Sequence, residues 1–405
     1  MKRGHCSTCC EGAASYDREE AVNQTIERAK EILTRYDGPH CRIMEVCGTH
    51  THEIFRQGIR RILPRQIELI SGPGCPVCVT PVGYIDEAIW LALEKGATVC
   101  TFGDLVRVPG TEASLQTARG EGAAVKVVYT PLDAERYAAE HPDEEVVFLS
   151  VGFETTTPSA CLAVRKAQQD GIRNFSLLTA NKTMPGAYEA MKDSTDLFLY
   201  PGHVHAITGT GICEKLAEEG VSGVCAGFTA SELLVALAVA VTRYQEGKPF
   251  FVNCYPRVVR PEGSPKAQSL VAAMMEPCDE EWRGIGVIPG SGMRLKESCQ
   301  MYDARVRFRV PEMAGRANPA CRCGQVLKGE LLPPQCKVFG KACTPEHPVG
   351  ACMVSSEGVC SAWYLYGQNL WKTESSDEGS KYDRYDHDGA RRRWETDIGA
   401  DSRHL

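Results

Sequence analysis

The sequence lacks the features of a membrane or secreted protein. Its longest strongly apolar run, Leu233 to Val241, is too short to span a bilayer and follows the charged residue Glu232. The basic residues at the N-terminus are not followed by the apolar segment that a secretory signal needs. We therefore expect a cytoplasmic protein with no membrane segment.

The sequence also lacks the usual marks of nucleic-acid and nucleotide binding. Its formal net charge is -7, and basic residues are scattered among acidic ones, so a concentrated basic surface for phosphates is not expected. Neither a G-x4-G-K-[ST] phosphate loop nor a C-x3-C-x2-C triplet occurs. These absences argue against nucleic-acid binding, against a phosphate-loop nucleotide site and against a radical enzyme.

Cysteine, by contrast, is abundant, with 20 residues in a chain of 405. Structural disulfides do not persist in a reducing cytoplasm, so this content indicates metal ligation or thiol chemistry. Six cysteines lie close together near the C-terminal end, spaced Cys321-x14-Cys336-x6-Cys343-x16-Cys360, with Cys323 and Cys352 left over. Four thiolates suit zinc or an iron-sulfur cluster, and the absence of close C-x2-C pairs favours a 4Fe-4S cluster over zinc. A set of buried or disulfide-bonded cysteines is the remaining interpretation.

Short apolar runs alternate with helical patterns along most of the chain. A surface helix is predicted from Arg18 to Arg35, and runs such as CRIMEVC, QIELISG and EEVVFLSVGF then alternate with helices such as YIDEAIWLALEKG. This alternation predicts an α/β fold with two similar parallel-sheet α/β domains, which a duplication could explain, followed by a loop-rich iron-sulfur domain. The predicted segments are a disordered extension at 1–17, domain I at 18–130, domain II at 131–248, the iron-sulfur domain at 249–372 and a disordered polar tail at 373–405.

Two predicted strand-to-helix loops carry thiols. In MEVCGTHTHE, Cys47 is followed closely by His50 and His52, and in SGPGCPVC the pair Cys75 and Cys78 follows the next strand. Ligands bind at this end of open parallel sheets, and the amides that begin the next helix are expected to lower the pKa of a thiol there. The alternatives are a core thiol with histidines that cap the helix, and an incidental pair of cysteines in a rigid turn.

Three further motifs carry polar side chains whose roles the sequence leaves open. Glu154 and the run Thr155 to Thr157 either line the crevice or cap the following helix. His203 and His205 either face the cleft between domains or lie in a turn. No function is expected for the N-terminal group Cys6, Cys9 and Cys10.

The motifs CGTHTH, GPGCPVC, GFETTTP, CRCG and QCKVFGKACTPEHPVGACMVSSEGVC occur in the order and with the separations of the HypD family. From about Arg42 to Gly367 the chain resembles that family, whose members are scaffolds of NiFe-hydrogenase maturation. The resemblance implies assembly of an iron centre with two cyanides and one carbon monoxide, Fe(CN)2CO, together with a small HypC-like partner. It further implies a HypE-like cyanide donor and, indirectly, the hydrogenase large subunit as the recipient.

The resemblance also implies roles for individual residues. Cys47, Cys75 and Cys78 correspond to the iron-associated cysteines, and His50 to a functionally important histidine. The implied 4Fe-4S ligands are Cys321, Cys336, Cys343 and Cys360, and Cys323 and Cys352 become a redox disulfide beside the cluster. We therefore expect a metal-centre scaffold with redox activity rather than a stand-alone turnover enzyme. The rival interpretation is an iron-sulfur thiol-disulfide oxidoreductase that acts through the Cys75/Cys78 pair.

Overall fold

The computed structural model describes residues 8–367. Eleven strands within this range form two sheets. The first sheet has the order β2-β1-β7-β8-β9 and is parallel throughout, with strands β1 Cys41–Glu45, β2 Ile67–Ser71, β7 Leu197–Pro201, β8 Ser222–Ala226 and β9 Phe251–Asn253. The second sheet has the order β10-β11-β6-β5-β3-β4, with strands β3 Thr98–Thr101, β4 Val125–Val127, β5 Val146–Gly152, β6 Phe175–Lys182, β10 Met275–Trp282 and β11 Gly286–Leu295.

Helices cover the sheets and connect their strands. They are α1 Thr8–Thr34, α2 Gly48–Arg56, α3 Ile59–Ile62, α4 Pro76–Val79, α5 Val82–Glu94, α6 Leu115–Gly120, α7 Pro131–Glu140, α8 Thr157–Asp170, α9 Met184–Met191, α10 Gly202–Thr208, α11 Gly211–Glu218, α12 Ala230–Tyr244, α13 Pro265–Met274, α14 Ala304–Phe308, α15 Cys323–Leu327, α16 Ala351–Val354 and α17 Val359–Tyr366. Short 3-10 helices lie at Gly103–Arg107, Lys192–Ser194, Glu297–Tyr302 and Pro333–Gln335. None of the helices from Thr8 to Tyr366 has an apolar stretch long enough to cross a bilayer.

The central strands are buried along their whole length because helices cover both of their faces. All seven residues of β5 and all eight of β6 are buried, as expected for inner strands of a parallel sheet. Around the first sheet, Leu33 of α1 and Leu237 of α12 pack with Ile43 and Leu199 in one apolar core. The predicted α/β class with two parallel-dominated sheets is therefore confirmed.

The chain passes from the first sheet to the second and back. Strands β1 and β2 belong to the first sheet, β3 to β6 to the second, and β7 then pairs with β1. The predicted boundary at residue 130 consequently does not separate the two sheets. Residues 251–295, predicted to belong to the loop-rich domain, contribute β9 to the first sheet and the β10–β11 hairpin to the edge of the second.

Helix α1 begins ahead of its predicted start at Arg18. It includes residues 8–17, which the sequence assigned to a disordered extension. Alanine and glutamate in this segment favour helix, so the helical pattern extends toward the N-terminus. Residues 1–7 and the predicted polar tail at 373–405 lie outside the described residues.

Candidate functional site

The two thiol loops are in contact at one edge of the first sheet. Strands β1 and β2 are parallel neighbours in register from Cys41 and Ile67, so their carboxyl ends meet at this edge. The amide of Gly48 donates to the carbonyl of Gly74 at 3.1 Å. A Cβ on Gly74 would lie 2.1 Å from the backbone nitrogen of Cys47, so only glycine allows this approach. The CGTHTH and GPGCPVC loops therefore lie against each other.

Cys47 precedes α2 and is 2% exposed. Burial raises the pKa of its thiol to about 12, and nearby Glu357 raises it too, while the amides of His50 and Thr49 and the Thr49 hydroxyl act in the opposite direction. The amides at the start of α2 do lower the pKa of the Cys47 thiol, as expected, but burial raises it by more. The expectation of a lowered pKa is therefore wrong for the metal-free thiol. A positive metal ion bound to the sulfur would reverse that balance.

Cys75 and Cys78 form a close thiol pair. Their sulfur atoms are 2.7 Å apart, and the amide of Cys78 also donates to the sulfur of Cys75 at 3.3 Å. Pro76 begins the short helix α4 and fixes the turn between the two cysteines. Burial, together with the thiols of Cys352 and Cys75, raises the pKa of Cys78 well above its ordinary value. The pair is placed for reversible disulfide chemistry or for joint ligation of a metal.

The six C-terminal cysteines share one small pocket. Its lining includes apolar side chains such as Val326 and Phe339 and the thiols Cys321, Cys323, Cys336, Cys343, Cys352 and Cys360. Cys352 is central, since its thiol lies within hydrogen-bonding reach of Cys323, Cys360 and Cys78. Contacts between thiols therefore run from Cys78 to this pocket.

The pocket suits thiolate ligation. Across residues 8–367, no three His, Cys, Asp or Glu side chains converge in the geometry of a metal site, although the six thiols stand around one space. Thiolates are the ligands that iron-sulfur clusters take, and the apolar lining is the usual surrounding. The donor set therefore fits a thiolate-held cluster.

His50 is fully buried beside the Cys47 loop. Its Nε2 atom lies 3.0 Å from the carbonyl oxygen of Gly227, so Nε2 carries the proton and donates it to that oxygen. Nδ1 has no hydrogen-bond partner among the described residues. Burial, and secondarily His203, lowers the pKa of His50 to about 3, so the imidazole is neutral at physiological pH. Nδ1 is therefore available as a hydrogen-bond acceptor.

A segment between Cys352 and Cys360 covers the Cys47 loop. The hydroxyl of Thr49 donates to Glu357 Oε1 at 2.7 Å, and a Cβ on Gly48 would lie 2.4 Å from the carbonyl oxygen of Glu357. His52 contacts the carbonyl oxygen of Ser356 through Nδ1 at 3.2 Å. Sequence reasoning missed this cover, since nothing in the local pattern of residues 355–358 points to α2.

The remaining candidate residues lie away from this contact. Glu154 accepts from the amide of Met184 at 2.8 Å, so it caps α9 rather than α8, and its Oε2 atom has no partner among the described residues. His205 is a core residue held by Tyr188 Oη at 3.2 Å and by the carbonyl of Gly209 at 3.0 Å. His203 packs on Phe228 with ring centroids 4.9 Å apart, and the same Phe228 ring lies 4.7 Å from the ring of His50.

Thr155 is exposed, and the side chain of Thr156 does not cap α8. Thr157 is buried, and its hydroxyl donates to the carbonyl of Phe153 at 3.0 Å. The side chains of Cys9 and Cys10, like all of Cys6, lie outside the described residues. Of the candidate residues, the structure thus brings the Cys47 loop, the Cys75/Cys78 pair and the six-cysteine pocket into one continuous region.

Comparison with known proteins identifies a family. The model of the hydrogenase formation hypA family, HypD, matches residues 20–367. The chain is 42% identical over 339 residues to the hydrogenase maturation factor HypD of Azotobacter vinelandii, covering 81% of this chain and 89% of that protein. It is 40% identical over 365 residues to the hydrogenase maturation factor HypD of Escherichia coli strain K12, covering 87% and 97%. It is 43% identical over 340 residues to the hydrogenase maturation factor HypD2 of Bradyrhizobium diazoefficiens, covering 81% and 90%. With a match over most of its length, the chain belongs to the HypD family of hydrogenase maturation factors.

Proposed function

We propose that this chain is the scaffold on which the Fe(CN)2CO centre of NiFe hydrogenases is assembled. The observation that carries the proposal is the contact between the Cys47 loop and the loop of Cys75 and Cys78, through Gly48 and Gly74 at 3.1 Å. Cys47 holds the iron as cargo, and the Cys75/Cys78 pair either ligates it or supplies electrons. Thiolates suit an iron ion whose other ligands are diatomic molecules.

His50 acts on the site without binding the iron. Its neutral ring is fixed by Gly227 and packed on Phe228, with Nδ1 free to accept. It therefore orients the loop as a neutral ring whose Nδ1 accepts a hydrogen bond, because a pKa of about 3 leaves Nδ1 unprotonated at neutral pH.

The proposed resident cofactor is a 4Fe-4S cluster held by Cys321, Cys336, Cys343 and Cys360, all of which line one pocket. When bound, this group supplies reducing electrons. Burial raises the pKa of Cys343, and the amide of Val349 donates to its sulfur at 3.4 Å, a contact that favours the thiolate.

Reducing equivalents reach the Cys75/Cys78 pair by thiol-disulfide exchange. The thiolate of Cys352 attacks the sulfur of Cys78 in an oxidised pair, forming a mixed disulfide and releasing the Cys75 thiolate, which takes up a proton. The thiolate of Cys323 then attacks Cys352 and releases Cys78. The products are a Cys75/Cys78 dithiol and a Cys323–Cys352 disulfide, so two electrons and two protons have been transferred. The reach of Cys352 to both Cys78 and Cys323 supports this order.

The proposed partners are a small HypC-like protein that shares the iron, a HypE-like cyanide donor and, indirectly, the hydrogenase large subunit.

The test of the proposed function is infrared spectroscopy of the complex purified anaerobically with its HypC-like partner. Cys47→Ala should abolish the iron-cyanide and iron-carbonyl bands while leaving the visible absorbance of the cluster. Cys254→Ala, a partly buried cysteine of the same sheet, is the matched control and should keep both signals. Bands that persist in Cys47→Ala would overturn the assignment.

A stand-alone thiol-disulfide oxidoreductase is the second candidate. It is favoured by one observation, since the contacts from Cys75 through Cys78 and Cys352 to Cys323 need no iron at Cys47. Thiol trapping separates the two functions. An oxidoreductase turns over a protein disulfide without the HypC-like partner, whereas a scaffold does not.

A further inference from the structure

A large pocket opens beside the six cysteines. Its volume is about 860 Å³, within the range of ligand-binding clefts. It shares Cys321, Arg322, Cys323 and Gly350 with the lining of the cysteine pocket. Anything seated in the larger pocket therefore touches residues that also surround the proposed cluster.

The lining of this pocket is basic. Five of its side chains are arginine or lysine and two are carboxylates, namely Arg107, Arg283, Arg316, Arg322 and Lys328 against Glu112 and Glu346. Arg316 and Glu112 pair at 2.5 Å and Lys328 lies 3.9 Å from Glu330, which leaves Arg107, Arg283 and Arg322 against Glu346. The chain as a whole has a formal net charge of -7, so this concentration of positive charge opposes the overall balance. Such a patch attracts an acidic partner and fixes its orientation.

Arg283 forms the buried end of the pocket. It is only 8% exposed, its amide donates to the carbonyl of Val79 at 2.8 Å, and its Nε donates to the carbonyl of Thr80 at 2.6 Å. Its Nη2 is buried and has no hydrogen-bond partner among residues 8–367, and no carboxylate in that range forms an ion pair with it. A buried guanidinium without an anion is costly, so a site built this way indicates a missing carboxylate.

The backbone holds Arg283 firmly next to the cysteines. Gly284 has a φ of +75°, and a Cβ there would lie 2.3 Å from Cα of Gly324, so the turn after β10 and the start of α15 are pressed together. The guanidinium of Arg283 and the thiols of Cys321 and Cys323 thus line the same pocket.

We propose that this pocket is the docking site of an acidic one-electron carrier protein, which places a carboxylate on Arg283 beside Cys321 and Cys323. The inference rests on the proposed function, because electrons that leave through the thiol pairs must be replaced from outside. Each docked carrier is oxidised by one electron. Two such events, with two protons from solvent, convert a Cys323–Cys352 disulfide into two thiols.

Reduced flavodoxin, an acidic one-electron protein, is the probe. Binding of oxidised flavodoxin to the full chain is measured by calorimetry at low and high salt, and reduction of the chain by reduced flavodoxin is followed by stopped flow. The surface variant Arg322→Glu/Lys328→Glu should weaken binding and slow reduction at least about tenfold. Arg283→Met should also weaken flavodoxin binding and slow reduction by flavodoxin at least about tenfold. The matched control is Lys248→Glu, an exposed charge outside the pocket that should change neither.

Three results would overturn the proposal. They are flavodoxin binding that ignores the pocket variants, an equal loss in Lys248→Glu, and binding of citrate or phosphate with no binding of flavodoxin. Binding is also measured on cluster-free protein and compared with the infrared bands of the Cys47 site. If flavodoxin fails to bind while the iron-cyanide bands remain, only the docking inference is wrong. If flavodoxin binds while the bands are absent, only the proposed function is wrong.

Discussion

The thiol of Cys78 in α4 lies within hydrogen-bonding reach of the thiol of Cys352 in α16. One belongs to the loop that follows β2 and the other to the cysteine-rich segment near the C-terminal end of the fold. Their contact joins the loop that accompanies Cys47 to the six-cysteine pocket. The two clusters of thiols seen in the sequence are therefore parts of one continuous path.

Cys352→Ser should interrupt that path. A serine hydroxyl fits the space but cannot form a disulfide, so reduction of an oxidised Cys75/Cys78 pair by cluster-loaded protein should slow at least about tenfold. Mass spectrometry after thiol trapping measures the surviving disulfide. Cys299→Ser, another buried cysteine, is the control and should behave as wild type. Equal rates in both variants would contradict the path.

Gly350→Ala should disturb the cysteine pocket. A Cβ at this position would lie 2.5 Å from the sulfur of Cys321, so either the sulfur or the backbone must move. We expect a loss of about 1–3 kcal/mol in the free energy of unfolding, with lower iron and sulfide content per chain. Gly211→Ala, where a Cβ meets nothing within 4 Å, should leave both quantities unchanged. Full cluster content in Gly350→Ala would show that cluster binding through Cys321 does not depend on a glycine at position 350.

Arg60→Met should destabilise the support of the Cys47 loop. Arg60 donates to Glu45 at 2.5 Å with both side chains buried, and Glu45 in turn accepts from Thr51 of α2 at 2.6 Å. Removing one member leaves a buried, unpaired carboxylate, which costs about 3–5 kcal/mol. Urea unfolding measures the loss, and adding Glu45→Gln should recover part of it.

The matched control for Arg60→Met is Arg136→Met. Arg136 is largely exposed and pairs with Asp133 at 2.6 Å, and a surface pair of this kind contributes at most about 1 kcal/mol. An equal loss in both variants would show that burial of the Arg60–Glu45 pair does not set its importance.

Stability should fall between about pH 4.5 and pH 7 because of Glu154. Burial raises the pKa of this carboxyl to about 7, so the unfolded chain loses the proton at lower pH than the folded chain does. The folded state is therefore favoured below the unfolded pKa, and the advantage is lost as the pH rises through 7. Glu154→Gln should remove this dependence and stabilise the protein above pH 7 by up to about 3 kcal/mol. Urea unfolding at pH 5 and pH 8 measures the change in the free energy of unfolding with pH for both proteins. The same change in wild type and in Glu154→Gln would refute the prediction.

Local sequence patterns were sufficient for several parallel strands and for the strand-to-helix position of the two thiol loops. Apolar runs with helices between them predicted β1, β2 and β5, and the rule for parallel sheets placed each thiol loop at the ligand-binding end of a strand. The spacing of cysteines likewise indicated the group that now lines one pocket. These inferences depend on neighbours in the chain or on a general property of sheets.

Other features depend on contacts between distant segments, which local patterns do not encode. The return of β7 to pair with β1, the reach of Cys352 to Cys78 and the cover of Thr49 by Glu357 all arise from tertiary packing. The β10–β11 hairpin was missed because β10 carries four acidic residues and β11 three glycines, so apolar residues do not alternate with polar ones along either strand. Arg283 carries no sequence signal, since its importance comes from burial without a partner.

X-ray absorption at the iron edge tests the central claim most directly, which is that sulfur of Cys47 holds the iron cargo. The measurement uses a Cys336→Ala/Cys343→Ala background, in which the resident cluster is lost and the remaining iron is cargo, purified with the HypC-like partner. Sulfur scatterers should surround that iron and should decrease when Cys47→Ala is added. An iron environment with the same sulfur count in the presence and absence of Cys47 would contradict the account.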